Sequence, residues 1–350
     1  MARQSRSPLC ERDQAGSRAS IPDRGLHSQT DRRALDGQTN RRGLTRNSTT
    51  ITPSPPAARL SSTWKPSMRL SVLMPARNAA KTIRASLGST LRALPKDAEV
   101  LVLDDASSDH TAAIASEMED GRVKVLRSPT PSGVAGALNV LLADARGEFV
   151  ARMDADDIVL PGRFKSQLSR FNRRFDLIFG GVLHFGERVK VPYPSPPLTI
   201  GPDAFPSALL IDNPVAHSTM MARRDLLLEI GGYRECLAED YDLWLRAAAR
   251  GARISRFAAP VTALRRHAGQ VTADKGWAER ASNEPEWQES YAALAEATGQ
   301  VAGDTELLAE VNAAMTIGEK RTLLLPGIMR TMKDFSARDA LALKILMRRG

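Results

Sequence analysis

Gly147-Glu148-Phe149-Val150-Ala151-Arg152-Met153-Asp154-Ala155-Asp156-Asp157 is the stretch on which the reading of the chain turns. Phe149-Val150-Ala151 is a short apolar run with the character of a buried strand. It stops in three carboxylates, Asp154, Asp156 and Asp157. If the strand runs on through Asp154, its period of two puts Asp154 and Asp156 on one side and Ala155 on the other. Neighbouring carboxylates repel each other and are costly to bury uncompensated. A divalent cation removes both costs. Carboxylate oxygens suit Mg²⁺ or Mn²⁺, which keep positions open for substrate phosphates. The plainer reading is a polar turn that caps the following helix.

Upstream, a helix over about Val134–Ala145 leads into this strand from Ser128-Pro129-Thr130-Pro131-Ser132-Gly133. Before it lie a strand at Val123–Leu126, a helix at Thr111–Met118, and the strand Glu99-Val100-Leu101-Val102-Leu103. That strand runs straight into Asp104-Asp105-Ala106-Ser107-Ser108-Asp109. A helix over about Ala80–Leu94 and the strand Arg69–Pro75 come first. Short apolar runs alternating with helices predict an α/β domain with a largely parallel sheet covered on both faces. In such sheets ligands bind beyond the carboxyl ends of the strands. Asp104, Asp105, Asp154 and Asp156 all sit at such ends.

Downstream the pattern loosens. Phe164–Phe171 reads as helical, and Leu177–Leu183 as a strand kinked at Gly180-Gly181. Val191–Phe205 is a proline-rich loop over the site, followed by short helices at Phe205–Leu210 and Arg224–Ile230. Glu239–Arg250 reads as a helix with acids at its positive N-terminal end and Gly251 as C-cap. A strand at Ile254–Phe257 and the segment Arg265-Arg266-His267 complete a domain spanning 67–272. Residues 273–350 form a helical extension whose last helix, Ala337–Arg349, carries Lys344, Arg348 and Arg349. That helix packs on the protein, with docking on a membrane surface as the lesser option.

The 350 residues carry a net charge of +9, but it is unevenly placed. Residues 1–66 hold 12 Lys and Arg against 5 Asp and Glu, and the remainder holds 37 against 35. The basic character therefore belongs to a tail with one aromatic, Trp64, which cannot bury enough apolar surface to offset ordering entropy. This segment is expected to be disordered, either a tether to anionic surfaces or an extension upstream of a start at Met68. No nucleic-acid-binding motif with interleaved aromatics is present. Cys10 and Cys236 are far apart and imply neither a disulfide framework nor a thiolate zinc site. No apolar stretch approaches membrane-spanning length, and the charged N-terminus is unlike a secretory signal. A cytoplasmic protein is expected, with peripheral contact at the inner face of the plasma membrane as a further option.

Val72-Leu73-Met74-Pro75-Ala76-Arg77-Asn78, Asp104–Thr111, Ala137-Leu138-Asn139, Ala151–Asp157 and Glu239-Asp240-Tyr241-Asp242-Leu243-Trp244 stand in that order. Together they resemble the family 2 glycosyltransferases of the GT-A fold, over about residues 69–270. Asn213-Pro214 with His217-Ser218-Thr219, and His267 with Gly269-Gln270-Val271-Thr272, also resemble bacterial members. The resemblance implies an inverting, metal-dependent transferase of the non-processive type. It would move a sugar from a nucleoside-diphosphate sugar to a saccharide or lipid-linked acceptor in surface-polysaccharide assembly. The Gln-x-x-Arg-Trp motif of processive synthases is absent, and Ala106 replaces the usual glycine after the two acids.

The same resemblance implies residue roles. Pro75, Arg77, Asn78, Asp104, Asp105 and Asn139 would bind the donor, with Asp105 taking a base N–H. Asp154 and Asp156 would hold Mn²⁺ or Mg²⁺ across the diphosphate, with His267 as a third ligand or a phosphate contact. Arg152 is either a second cation there or a surface arginine. Glu239 and Asp240 match the catalytic acid pair, Asp240 being the base that takes a hydroxyl proton. Each role has a plainer counterpart. The first two acids could cap the helix at Thr111, and Asp240 could be an N-cap. His217 is better read as structural and Trp244 as a core residue. Two other functions fit parts of the pattern. A nucleotidyltransferase should show a Gly-rich phosphate loop after the first strand, which Pro75-Ala76-Arg77-Asn78 is not. A non-catalytic sugar- or nucleotide-binding module should have lost these acids. No Gly-x-Gly-x-x-Gly follows a strand, which opposes a dehydrogenase.

Overall fold

The apolar runs at 70–74, 100–103 and 149–151 form strands because both of their faces are covered, while the partly exposed run at 123–126 forms the edge of the same sheet. In this computed structural model, which describes residues 68–171, 174–270, 276–301, 304–314 and 316–348, those runs become β1 (Met68–Ala76), β2 (Ala98–Asp105), β3 (Val123–Ser128) and β4 (Gly147–Arg152). They are joined by α1 (Ile83–Ala93), α2 (Thr111–Ser116) and α3 (Gly133–Asp144). The four strands pair in parallel in the order β3-β2-β1-β4. Their side chains alternate between two cores. Leu70, Val72, Met74, Val100, Val102, Phe149 and Ala151 pack with Ile83 and Leu87 of α1. Leu73, Leu101, Leu103 and Val150 pack with Leu138 and Leu141 of α3. Truncating a leucine in either layer to alanine costs about 2–5 kcal/mol. The expected tail, 1–66, and Val271 and Thr272 lie outside the described residues.

The second half holds β5 (Ile158–Val159), α4 (Arg163–Leu168), β6 (Leu177–Phe185), β7 (Tyr193–Pro194), α5 (Phe205–Ile211) and β8 (Met221–Arg223). It continues through α6 (Arg224–Glu229), α7 (Glu239–Ala249) and β9 (Ile254–Arg265). Here the sheet turns mixed. β8 runs antiparallel to β4 and β6, β9 runs parallel to β6, and β5 runs antiparallel to β9. The expected strand at Ile254–Phe257 is longer than its apolar run. It carries on past Pro260 to Arg265, through a register irregularity opposite Gly181. A Cβ at Gly180 would lie 2.6 Å from Val261 and one at Gly181 2.6 Å from the Ala258 carbonyl, so only glycine admits this approach. The continuation delivers Arg265 and His267 to the acids.

α7 buries Leu243, Trp244, Leu245 and Ala247. Gly251, at φ +78°, ends it with its N–H on the Ala248 carbonyl at 2.9 Å. Next come α8 (Trp277–Ser282), α9 (Pro285–Ala297), α10 (Thr305–Ala313), α11 (Ile317–Thr331) and α12 (Ala337–Met347). Trp287 and Tyr291 of α9, Leu324 and Ile328 of α11, and Leu343 and Leu346 of α12 enter the same apolar cluster as α5 and α7. Tyr291 adds a hydrogen bond to the Leu210 carbonyl at 2.6 Å. This packing fixes the acidic end of α7 against the sheet.

Candidate active site

The carboxyl ends of β1, β2 and β4 lie side by side, with Ala76 opposite Asp104 and Leu73 opposite Arg152. The loop after β1 is tied to the loop after β2. Asn78 donates its N–H to Ser107 Oγ at 2.9 Å and accepts the Ser108 N–H at 2.9 Å. Asp109 accepts the Ala80 N–H at 3.1 Å and the Thr111 N–H at 3.0 Å. Asp109 is thus the residue that opens α2, not Asp104 or Asp105. Asp105 instead serves α3: its Oδ1 accepts the Ser132 N–H and hydroxyl at 2.7 and 2.8 Å, and its Oδ2 accepts the Gly133 N–H at 3.0 Å. Asp104 is buried beside it, and its Oδ1 has no hydrogen-bond partner. Pro75 is half-buried and Arg77 and Asn78 are exposed at the same edge.

β4 ends at Arg152, earlier than the alternation argument assumed. Asp154 opens a turn closed by the Asp157 N–H on the Asp154 carbonyl at 3.3 Å. The turn spreads the three acids apart, because two like charges on one strand face have no partner. Asp154 Oδ1 pairs with Arg152 Nη2 at 2.7 Å. Asp156 Oδ2 lies 3.0 Å from His267 Nε2, both about a third exposed. Asp157 points inward and accepts the Arg265 N–H at 2.8 Å. Ser218 lies close enough to favour its charge without closing a hydrogen bond. Burial, then Asp154 and Asp156, push the Asp157 carboxyl well above its ordinary range.

Arg152 is buried, not a surface residue. Burial works against its charge, but Asp154, Glu239, Tyr233 and Asp240 outweigh it and hold it firmly cationic. The acids of β4 and the acids of α7 therefore share one cation. Behind it Arg163 is wholly buried and donates to the Arg152 carbonyl at 2.8 Å and to Thr262 Oγ1 at 3.0 Å. Burial lowers its pKa to about 9. Its place in Pro161-Gly162-Arg163-Phe164 carried no motif that marks it in the sequence.

Glu239 and Asp240 open α7, and burial raises both carboxyls above their ordinary values. His217 lies between this pair and Tyr233: Nδ1 is 3.6 Å from Glu239 and 3.9 Å from Asp240, and Nε2 is 3.0 Å from the Tyr233 hydroxyl. Trp244 is fully buried, its ring edge-on to Phe179 and His217, so it is a core residue as expected. Asn139 donates an amide N–H to the Tyr233 carbonyl at 2.8 Å and accepts the Tyr233 N–H at 2.9 Å, which positions the main chain there. Asp242, one turn from the acid pair, is buried between Arg234 and Arg246 and accepts the Ser290 hydroxyl, a structural ion cluster.

Among the described residues, no three His, Cys, Asp or Glu side chains are gathered so as to hold a metal ion by themselves. Asp154, Asp156 and His267 nevertheless offer two carboxylates and an imidazole at one edge. Carboxylate and imidazole are donor types that suit Mn²⁺ or Mg²⁺, although here Asp154 is paired with Arg152 and Asp156 with His267.

A family model described as Glycosyl transferase family 2 matches residues 71–231. The amylovoran biosynthesis glycosyltransferase AmsE of Erwinia amylovora is 31% identical over 188 residues, 53% of this chain and 70% of AmsE. WfaP of Escherichia coli, a UDP-Glc:alpha-D-GlcNAc-diphosphoundecaprenol beta-1,3-glucosyltransferase, is 29% identical over 210 residues, 59% of this chain and 80% of WfaP. The crystal structure of S. aureus TarS 1-349 in complex with UDP-GlcNAc matches with a TM-score of 0.52 at 20% identity, over 75% of this chain and 92% of that one. That likeness is one of fold. The chain spans 66% and 40% of the length of two further relatives.

Proposed function

This chain belongs to the family 2 glycosyltransferases, and on that premise we propose that it transfers a sugar from a nucleoside diphosphate to an acceptor hydroxyl in a single inverting displacement. The observation that carries the reading is one buried cation: Arg152 pairs with Asp154 after β4 at 2.7 Å and is held charged in part by the Glu239–Asp240 pair of α7. One side of that cation suits a diphosphate and the other a hydroxyl nucleophile.

Asp240 takes the acceptor hydroxyl proton as the oxygen attacks the anomeric carbon. The bond from that carbon to the phosphate oxygen breaks, and the nucleoside diphosphate leaves with the electron pair. One displacement at carbon inverts its configuration. Arg152 faces the charge that grows on the leaving group. Asp105 accepts the base N–H, since its Oδ2 takes one backbone N–H and keeps a lone pair. Pro75, Arg77 and Asn78 flank the nucleoside. Asp154, Asp156 and His267 would hold the divalent ion, which when bound neutralises charge on the diphosphate.

The donor is a UDP-sugar and the acceptor a lipid-linked saccharide in polysaccharide assembly. The glucosyltransferase activity of WfaP and the amylovoran role of AmsE support this. No helix among the described residues is long and apolar enough to cross a membrane. The chain meets its acceptor peripherally, at the inner face of the plasma membrane, through the exposed face of α12. Arg338, Leu341, Lys344 and Arg348 are all exposed there at helical spacing. The test is transfer of labelled glucose or GlcNAc from its UDP donor to a GlcNAc-diphosphate lipid. Asp240→Asn should bind UDP as the wild type does and lose transfer by about two orders of magnitude or more. Full transfer by Asp240→Asn removes the base assignment. No transfer by the wild type with either donor refutes the donor–acceptor assignment.

A further inference from the structure

His217 is buried where it can do more than fill the core. One ring nitrogen faces the acid pair and the other meets the Tyr233 hydroxyl. Ionised carboxylates only accept hydrogen bonds, so the nitrogen facing them, Nδ1, is the one that carries hydrogen. Nε2 is then an acceptor, and the Tyr233 hydroxyl, 3.0 Å from it and 3.7 Å from Met220 Sδ, is the group placed to donate to it. We infer that His217 is a positioning residue for the catalytic acid pair, aiming a neutral Nδ1–H at Glu239 and Asp240 while Tyr233 fixes its tautomer.

The supports of this arrangement are themselves fixed. Asn139 binds both the N–H and the carbonyl of Tyr233 across 94 residues of sequence. Gly232 leaves room for that clasp, since a Cβ there would lie 2.5 Å from Asn139 Oδ1. The ring of His217 is held edge-on to Trp244 at 5.4 Å between centroids. The charged and titratable groups around it are Glu239, Asp240, Arg152, Asp154 and Tyr233. Burial, then Arg152, lower its pKa to about 3, so the imidazole stays neutral through the working range. A neutral donor can orient a carboxylate without handing it a proton. The present separations of 3.6 and 3.9 Å are long for hydrogen bonds, as is common before a substrate closes the site.

The inference rests on Asp240 as base, so Asp240→Asn is assayed alongside. Asparagine places its amide nitrogen where His217 has Nδ1, glutamine where it has Nε2, and leucine in neither place. UDP release from UDP-glucose, UDP-galactose and UDP-GlcNAc, with water as acceptor and Mn²⁺ present, reads turnover. Near-UV circular dichroism reads folding. His217→Asn should keep kcat within about tenfold of wild type, and His217→Gln and His217→Leu should lose on the order of a hundredfold, with donor KM unchanged. In the latter two the acid limb of kcat should move to higher pH, because an acid pair without its donor is harder to ionise. Tyr233→Phe should fall between them. Equal losses in the Asn and Gln variants, or an unmoved acid limb, overturn the inference while leaving a dead Asp240→Asn intact. Full turnover by Asp240→Asn overturns the base assignment itself.

Discussion

His267 Nε2 and Asp156 Oδ2 lie 3.0 Å apart although 111 residues separate them in the chain. The contact exists because β9 runs on to Arg265 and pins the turn after β4, donating its N–H to Asp157 and its Nε to the Asp156 carbonyl at 2.8 Å each. An imidazole paired with an exposed carboxylate is poised to exchange that partner for a cation. His267→Ala should weaken Mn²⁺-supported UDP binding on the order of tenfold. Titration calorimetry with and without Mn²⁺ checks this. Equal weakening in the presence of a chelator would mean that His267 serves the nucleotide alone.

The pH dependence of turnover follows from burial of the acid pair. Glu239 and Asp240 are both raised by burial. A base works only when ionised, so kcat should fall as pH drops through the raised pKa. Its acid limb should therefore lie above the ordinary carboxylate range of about 4. Arg152 counters the effect of burial, so Arg152→Met should move the limb further upward. A pH profile of kcat at saturating donor decides the matter. A limb at the ordinary value would contradict the placement of the base.

Backbone conformation gives two opposite expectations on one site. Ala106 sits at φ +53°, a region that costs an L-residue roughly 1–2 kcal/mol. Ala106→Gly should relieve that strain, offset by glycine's greater entropy in the unfolded chain, for a net gain of about 1 kcal/mol at most. Gly232→Ala should lose about 2 kcal/mol or more, since φ is +67° and the new Cβ meets Asn139. Urea midpoints at constant slope measure both.

The last 30 residues hold 7 Lys and Arg against 2 Asp and Glu, a net +5. One of those acids, Asp339, accepts the Gly201 N–H and the Ser336 hydroxyl. The full chain should therefore sediment with vesicles rich in phosphatidylglycerol and not with phosphatidylcholine alone. Arg338→Glu with Lys344→Glu should abolish that sedimentation and leave UDP binding unchanged. Sedimentation that persists in the double variant would place the contact elsewhere.

How legible this was depended on whether a residue's partners were local. β1, β2 and β4 read clearly, because strands covered on both faces must be almost wholly apolar, as Val100–Leu103 is and as Leu70–Met74 is but for Ser71. β9 did not, because Pro260 ordinarily ends a strand and the register shift opposite Gly181 has no period. Asp154 was expected on a continuing strand, but charge repulsion favours the turn that parts it from Asp156. Asp105 and the acid pair were legible as chemistry, while their true neighbours, Ser132, Arg152 and Tyr233, come from other elements. The clasp of Asn139 on Tyr233 joins two backbone groups to one side chain, and such a contact leaves no pattern in composition or spacing.

The central claim is that the acids at the strand ends and at α7 form one nucleotide-diphosphate site. Titration of UDP into the full chain, with Mn²⁺ or with chelator, for wild type and for Asp156→Ala, tests it most directly. The account predicts clear binding with Mn²⁺, weakened by the chelator and by the substitution. UDP binding that is absent throughout, or equally tight in all four conditions, would contradict it.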